Sequence, residues 1–297
     1  MWIPLQLLSL ACWGLINVLD SILIKHYDRH PMVALWHQGV FSVITLAVLW
    51  FFFDTETTWM VPFLLAGVLA YIGDIIFFMA LDRIDVSVTN IAWALLSVFL
   101  AMAGFIFLRE TWSLFESMGA GLVFGGALLL SLWQRKIGNP KALLLLPLLG
   151  LSYVPFYFLQ DLALKDGQTT FVVFFWPVLS REVSNFVVGL TVPSLRRKIL
   201  GSSAHMRIDF HLLNAFVIAL FFAASYLTVL AYSVGPLSLV AVLSNVQPFL
   251  TLFFAGACAW VLPRFAPREI LSRQSVSLKI LCFCIVFSGL ALIALSH

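Results

Sequence analysis

The stretch Ala231–Phe249, AYSVGPLSLVAVLSNVQPF, is an apolar run that is broken in a particular way. Gly235 and Pro236 open it, Ser238, Asn245 and Gln247 sit inside it, and Pro248 interrupts its far end. At membrane depth a polar side chain or a freed carbonyl needs a partner or a wet cavity. A weaker copy lies 151 residues earlier, ALDRIDVSVTNIAWALLSVF, Ala80–Phe99. There Ser87 falls opposite Ser238, and Ser97 opposite Pro248. The pair reads as two copies of one helix facing each other across a cavity. One stripe holds Ser238, Ala241, Asn245 and Pro248, and the other Ser87, Asn90, Ala94 and Ser97.

The rest of the chain has the composition such helices need. Of 297 residues, 62% are hydrophobic and 10% charged, with a mean hydropathy of +1.03. A soluble domain carries about 25% charged residues, so the bilayer is the solvent here. A span needs about 20 mostly apolar residues. Charged and turn-forming breaks leave ten such stretches: 3–24, 31–53, 61–81, 87–108, 114–133, 142–164, 169–192, 210–232, 237–262 and 276–296. The fold class is therefore all-α and integral to the membrane, with about ten transmembrane helices. The N-terminal run reads as a retained helix, since no basic segment precedes it.

The same composition narrows the function. No basic cluster is interleaved with aromatics, which argues against nucleic acid as a partner. Cys12, Cys258, Cys282 and Cys284 lie in apolar runs without metal-ligand spacing and read as small buried hydrophobes. No HExxH, GxSxG or paired Asp-rich motif is present, so neither catalysis, a metal nor a cofactor is expected.

Loop charge sets an orientation. The loops after odd-numbered stretches hold fourteen of the seventeen Lys and Arg, and those after even-numbered stretches hold Arg109 and Lys165. The positive-inside bias puts the odd loops in the cytoplasm and both termini outside. The expected location is a plasma membrane, the inner one in a bacterium.

Five helices per half is an odd number, so two homologous halves, 1–136 and 141–297, would be inverted repeats. Three matches fall in order along both halves. Trp13, Asn17, Asp20 and Lys25 stand opposite Tyr153, Tyr157, Gln160 and Lys165. The stripe-bearing stretches are the second match. Arg109-Glu110 opposite Arg268-Glu269 is the third, with Ser113 opposite Ser272. Ser113 and Glu116 also form an S-x-x-E capping box ahead of the fifth stretch.

Several of these segments resemble a known family. Trp13-Gly14-Leu15-Ile16-Asn17 is similar to the W-G-x-x-(N/F) start of EamA-type proteins, the ten-helix branch of the drug/metabolite transporter superfamily. Leu108-Arg109-Glu110 resembles the family's L-G-E. Gly119–Gly126 resembles its glycine pattern in the fifth helix, and Asn245–Phe249 its (S/L)-x-x-P-(V/F) in the ninth. The resemblance covers essentially the whole chain. It departs where members often carry Arg in the second helix and this chain has Trp36-His37-Gln38, and in the orientation of the N-terminus. It implies a secondary transporter of amino acids or related metabolites, usually in the efflux direction.

The candidate site follows from polar groups at membrane depth. Trp13, Asn17 and Asp20 share one helical face, and Tyr153, Tyr157 and Gln160 the matching face in the sixth stretch. Asp161 sits beside that face and can pair with Lys165 at i+4. Asp74 lies mid-helix without a local basic partner. His37 is either its partner or a packing residue. Arg181 either binds an anionic group or pairs with Asp74 as a structural lock. Trp93, Trp176 and Tyr226 complete an aromatic wall, with Asn90, Asn245 and Gln247 from the polar stripes.

The expected ligand is a small polar or amphipathic solute, bound between helices 1–4 and 6–9, with protons as a coupling ion through Asp74. The bilayer is the other partner. Gly121-x-x-x-Gly125 is a packing motif that leaves a monomer or a weak homodimer open. A nucleotide-sugar or organophosphate exchanger would need more cavity cations than Arg181, and a non-transporting receptor or scaffold is the remaining alternative.

Overall fold

The computed structural model describes residues 2–23, 27, 31–81, 86–133, 145–203, 207–261 and 273–295. Its elements are helices: α1 (Trp2–Ile22), α2 (Pro31–Trp50), α3 (Met60–Leu81), α4 (Val86–Phe107), α5 (Leu114–Trp133), α6 (Leu145–Lys165), α7 (Thr170–Thr191), α8 (Pro193–Ser203), α9 (Ile208–Val234), α10 (Leu237–Leu243), α11 (Gln247–Val261) and α12 (Arg273–Leu295). Each of the ten expected stretches coincides with a helix or, in the ninth, with a pair. Among the described residues, seven segments are long and apolar enough to cross a membrane, the last of them running through α10 and α11. The chain is a multi-pass integral membrane protein.

Two features differ from the sequence reading. The loop after the seventh stretch contains α8, a short helix whose Arg196, Arg197 and Lys198 are exposed. The ninth stretch is two helices joined by a 3-10 turn at Ser244–Val246. Pro248 explains the break. It has no N–H for the Ser244 carbonyl, and its ring crowds that carbonyl. The Gln247 N–H bonds Ser244 O instead, tightening the turn.

Helix ends are set locally. The Ser113–Glu116 capping box is present, with Glu116 N–H bonding Ser113 Oγ at 3.2 Å and Ser113 N–H bonding the Glu116 carboxylate. Thr169 caps α7 through Val172 N–H. Gly167, at φ +84°, supplies the left-handed residue that ends α6. Ser272 and Glu269 lie outside the described residues, as do the side chains of Ser87 and Asn90.

The helices pack in exchanged pairs. α1 lies along α9, and α6 along α3; α5 pairs with α12, α2 with α7, and α4 with α10. Glycines allow the closest approaches. A Cβ on Gly119 would stand 2.6 Å from the Gly289 carbonyl, and one on Gly289 2.6 Å from that of Gly119. Gly121 and Gly125 are different: a Cβ there meets nothing within 4 Å. The packing glycines of α5 within the chain are therefore Gly119 and Gly126, not the Gly121–Gly125 pair. Gly121→Ala should leave stability unchanged or raise it by about 0.5–1 kcal/mol through helix propensity. Reversible unfolding in mixed micelles measures this.

Candidate functional site

α3, α6 and α7 meet at a buried ionic cluster. Asp74 on α3 accepts two hydrogen bonds from Arg181 on α7, Nε to Oδ2 at 2.8 Å and Nη2 to Oδ1 at 3.0 Å. The Tyr153 hydroxyl on α6 donates to the same Oδ1. Asp74 is buried and the Arg181 side chain only 15% exposed. A charge this deep is tolerated because it is paired and bonded. Glu182 Oε1 lies 3.8 Å from Arg181 Nη1, so the two adjacent residues do approach at their tips. The guanidinium sits 5.2 Å over the Phe221 ring.

Small residues make the meeting possible. Gly67 and Asp74 are seven residues apart, on one face of α3. A Cβ on Gly67 would lie 2.5 Å from the Pro177 carbonyl and 2.8 Å from Arg181 N. Gly73 does the same toward α6, where a Cβ would fall 2.6 Å from Tyr153 Cε2. One turn before Asp74 the Tyr71 hydroxyl is buried without a hydrogen-bond partner among the described residues.

An aromatic file leads away from the cluster. Trp93 stands 5.3 Å from Tyr153 and 5.9 Å from Phe77. Tyr153 stacks on Tyr157 at 6.2 Å, and Tyr157 meets Tyr232 edge-on at 6.3 Å. On the other side Trp13 packs edge-on to Phe221 at 5.5 Å. Asp20 accepts from Gln38 Nε2 at 2.8 Å, tying α1 to α2. Asn17 is exposed and donates to Thr251 Oγ1 at 3.3 Å.

The remaining candidates lie elsewhere or are committed to packing. His37 is buried with Nδ1 2.9 Å from Val33 O and its ring edge-on to Phe210, while Asp74 takes Arg181 and Tyr153 as partners instead. Gln160 is buried and donates to Val173 O at 3.3 Å. Trp176 donates to Thr55 O at 2.8 Å and borders a separate recess with Trp50 and Gln168. Tyr226 packs on Phe174 at 5.7 Å. Gln247 is half-buried at the start of α11. Asp161 pairs with Lys165 at 2.7 Å, as its i+4 spacing predicts.

The polar stripe of the ninth stretch faces α4 but is closed. Asn245 Nδ2 donates to Ser97 Oγ at 2.8 Å and to Val242 O at 2.9 Å, and Asn245 is buried. Ser238 is fully buried and held by Trp112 Nε1 at 2.8 Å and by Glu110. These residues join helices rather than line an open path.

Glu110 is the residue the sequence reading left out. Its carboxylate accepts from Leu237 N–H at 3.0 Å, Ser238 N–H at 3.1 Å and the Ser238 hydroxyl, with Lys165 at 3.5 Å. Its place in the third repeat match was the available signal.

Residues 1–132 match the model of the EamA-like transporter family. A solved crystal structure, described only as that of a protein, is 15% identical with a TM-score of 0.71 over 98% of this chain and 95% of that one, which shows a shared fold. No curated protein matches the chain.

Proposed function

We propose that this chain is an alternating-access carrier of small zwitterionic or amphipathic solutes such as amino acids, working toward efflux; the match of its residues 1–132 to the EamA-like transporter family supports the carrier class. The observation that carries this reading is the Asp74–Arg181 pair with Tyr153 against it, buried between helices and flanked by an aromatic wall. A zwitterion brings one carboxylate and one ammonium. It can exchange with the internal pair ion for ion, so no buried charge is left alone. A simple anion would strand Asp74, and a cation would strand Arg181. A polyphosphate would need further cations at this depth, and the cluster offers one guanidinium.

The exchanged packing of helices supports two inverted halves, 1–136 and 141–297. α1 on α9 answers α6 on α3, and α5 with α12, α2 with α7 and α4 with α10 are each paired with the expected counterpart. Rocking of one half on the other would alternate access. Asp74 would carry a coupling proton only when a solute has taken Arg181 from it.

Counterflow in proteoliposomes tests the reading. Labelled amino acids should accumulate against unlabelled solute of the same kind inside. Failure across amino acids and other zwitterions would favour a receptor or scaffold. Exchange of sugar nucleotides or phosphate esters alone would replace the substrate class. Asp74→Asn that leaves the pH dependence of transport unchanged would remove the proton.

A further inference from the structure

The connection between α4 and α5 reaches the N-terminus of α10, which belongs to the other half of the chain. α10 starts after Pro236, which offers no side-chain cap of its own. Its first two donors, Leu237 and Ser238 N–H, are taken by the two oxygens of Glu110. A carboxylate at the positive end of a helix makes charge-assisted bonds.

The backbone aims it there. Leu108 and Glu110 N–H both bond the Gly104 carbonyl, and Arg109 between them is left-handed at φ 54°. That region is unfavourable for a residue with a Cβ, so the turn is held against a local cost. Gly104 leaves the room, since a Cβ there would lie 2.6 Å from Glu110 Oε2. Trp112, from the same connection, bonds the Ser238 hydroxyl. Two side chains of one half thus grip one residue of the other.

This grip sits at a mouth. A recess of about 700 Å³ is lined by Glu110, Lys165, Gln168, Tyr232 and Pro236. Behind it Tyr232 meets Tyr157, which stacks on Tyr153, which bonds Asp74. The aromatic file runs from the recess to the ionic cluster.

We propose that Glu110 is the latch that closes this face of the protein: bound to the start of α10 it seals the recess from the cluster, and its release opens it. Lys165, 3.5 Å away, keeps a partner for the carboxylate after release. The latch rests on the carrier reading, but its test needs no solute.

The test uses the full chain with its four cysteines replaced by Ala and a reporter at Asn17. Trp2 packs on Gly235 at the latch face, and Asn17 lies about 22 Å farther along α1 by helical rise. In Glu110→Gln, which keeps the shape and removes the charge, amide exchange at Leu237–Leu239 should quicken about tenfold. Alkylation of the N17C reporter should slow severalfold, because opening one face closes the other. A cap of purely structural effect would loosen α10 without slowing alkylation. Trp112→Phe, which removes one donor only, should shift both readouts the same way by less. Alkylation unchanged or faster in both variants would overturn the latch. Absence of counterflow in the parent protein, with both shifts present in the variants, would instead count against the carrier reading.

Discussion

Arg181→Gln abolishes counterflow and lowers stability by about 3–5 kcal/mol, the cost of leaving one member of a buried ion pair without the other. The size follows from where Asp74 is left. It keeps the Tyr153 hydroxyl but loses both guanidinium bonds, at 2.8 and 3.0 Å, in a site open to little water. Asp74→Asn has a similar cost from the other side, since one neutral amide oxygen replaces the carboxylate and the guanidinium keeps Phe221 and, at 3.8 Å, Glu182 beside it. The double variant Asp74→Asn/Arg181→Gln separates structure from transport. It removes both charges together and should recover most of the lost stability, to within about 1–2 kcal/mol of the parent, as neutral hydrogen bonds replace charged ones. If Arg181 binds solute, the double variant stays inactive although it is folded. A folded double variant with full counterflow would make the pair a structural lock only. Stability is measured by reversible unfolding in mixed micelles, and transport by counterflow.

The limits of the sequence lie in what a linear pattern can carry. Hydropathy found the ten helical stretches because bilayer thickness fixes their length. The i+4 spacing found Asp161–Lys165, and S-x-x-E found the α5 cap, since both are settled within one turn. Pairing Arg181 with Asp74 was one of two open readings. The two lie 107 residues apart in sequence, so only the packing of α3 on α7 could choose between them. The polar stripe shows a different limit. Its period places Asn245 toward α4, but no period distinguishes a residue lining a path from one bonded to Ser97. Glu110 was hidden for a third reason. Its charge sits after a helix end, where a solvated loop is the ordinary expectation, and its partners are backbone amides in the other half.

The second large effect is expected where no charge is involved. Gly67→Ala should be as damaging to transport as Arg181→Gln, although it adds a single methyl group. That methyl would stand 2.5 Å from the Pro177 carbonyl, 2.5 Å from Ser180 Cβ and 2.8 Å from Arg181 N. Two of these three are backbone atoms of α7, which cannot turn aside as a flexible side chain can. Neither backbone group has a rotamer to change, so the helices must move apart. Ser180 Oγ donates to Leu64 O across the same contact at 2.6 Å, and that bond would lengthen with the separation. Overpacking of this kind costs about 1–3 kcal/mol, and more where the backbone itself obstructs. The functional loss should exceed the loss of stability. Gly67 and Asp74 ride the same face of α3 two turns apart, so a shift at Gly67 is carried to the carboxylate. Bidentate geometry tolerates little displacement before one of its two bonds is lost. Counterflow by Gly67→Ala near the parent rate would mean that α3 and α7 separate freely and that Asp74–Arg181 is not set by their close approach.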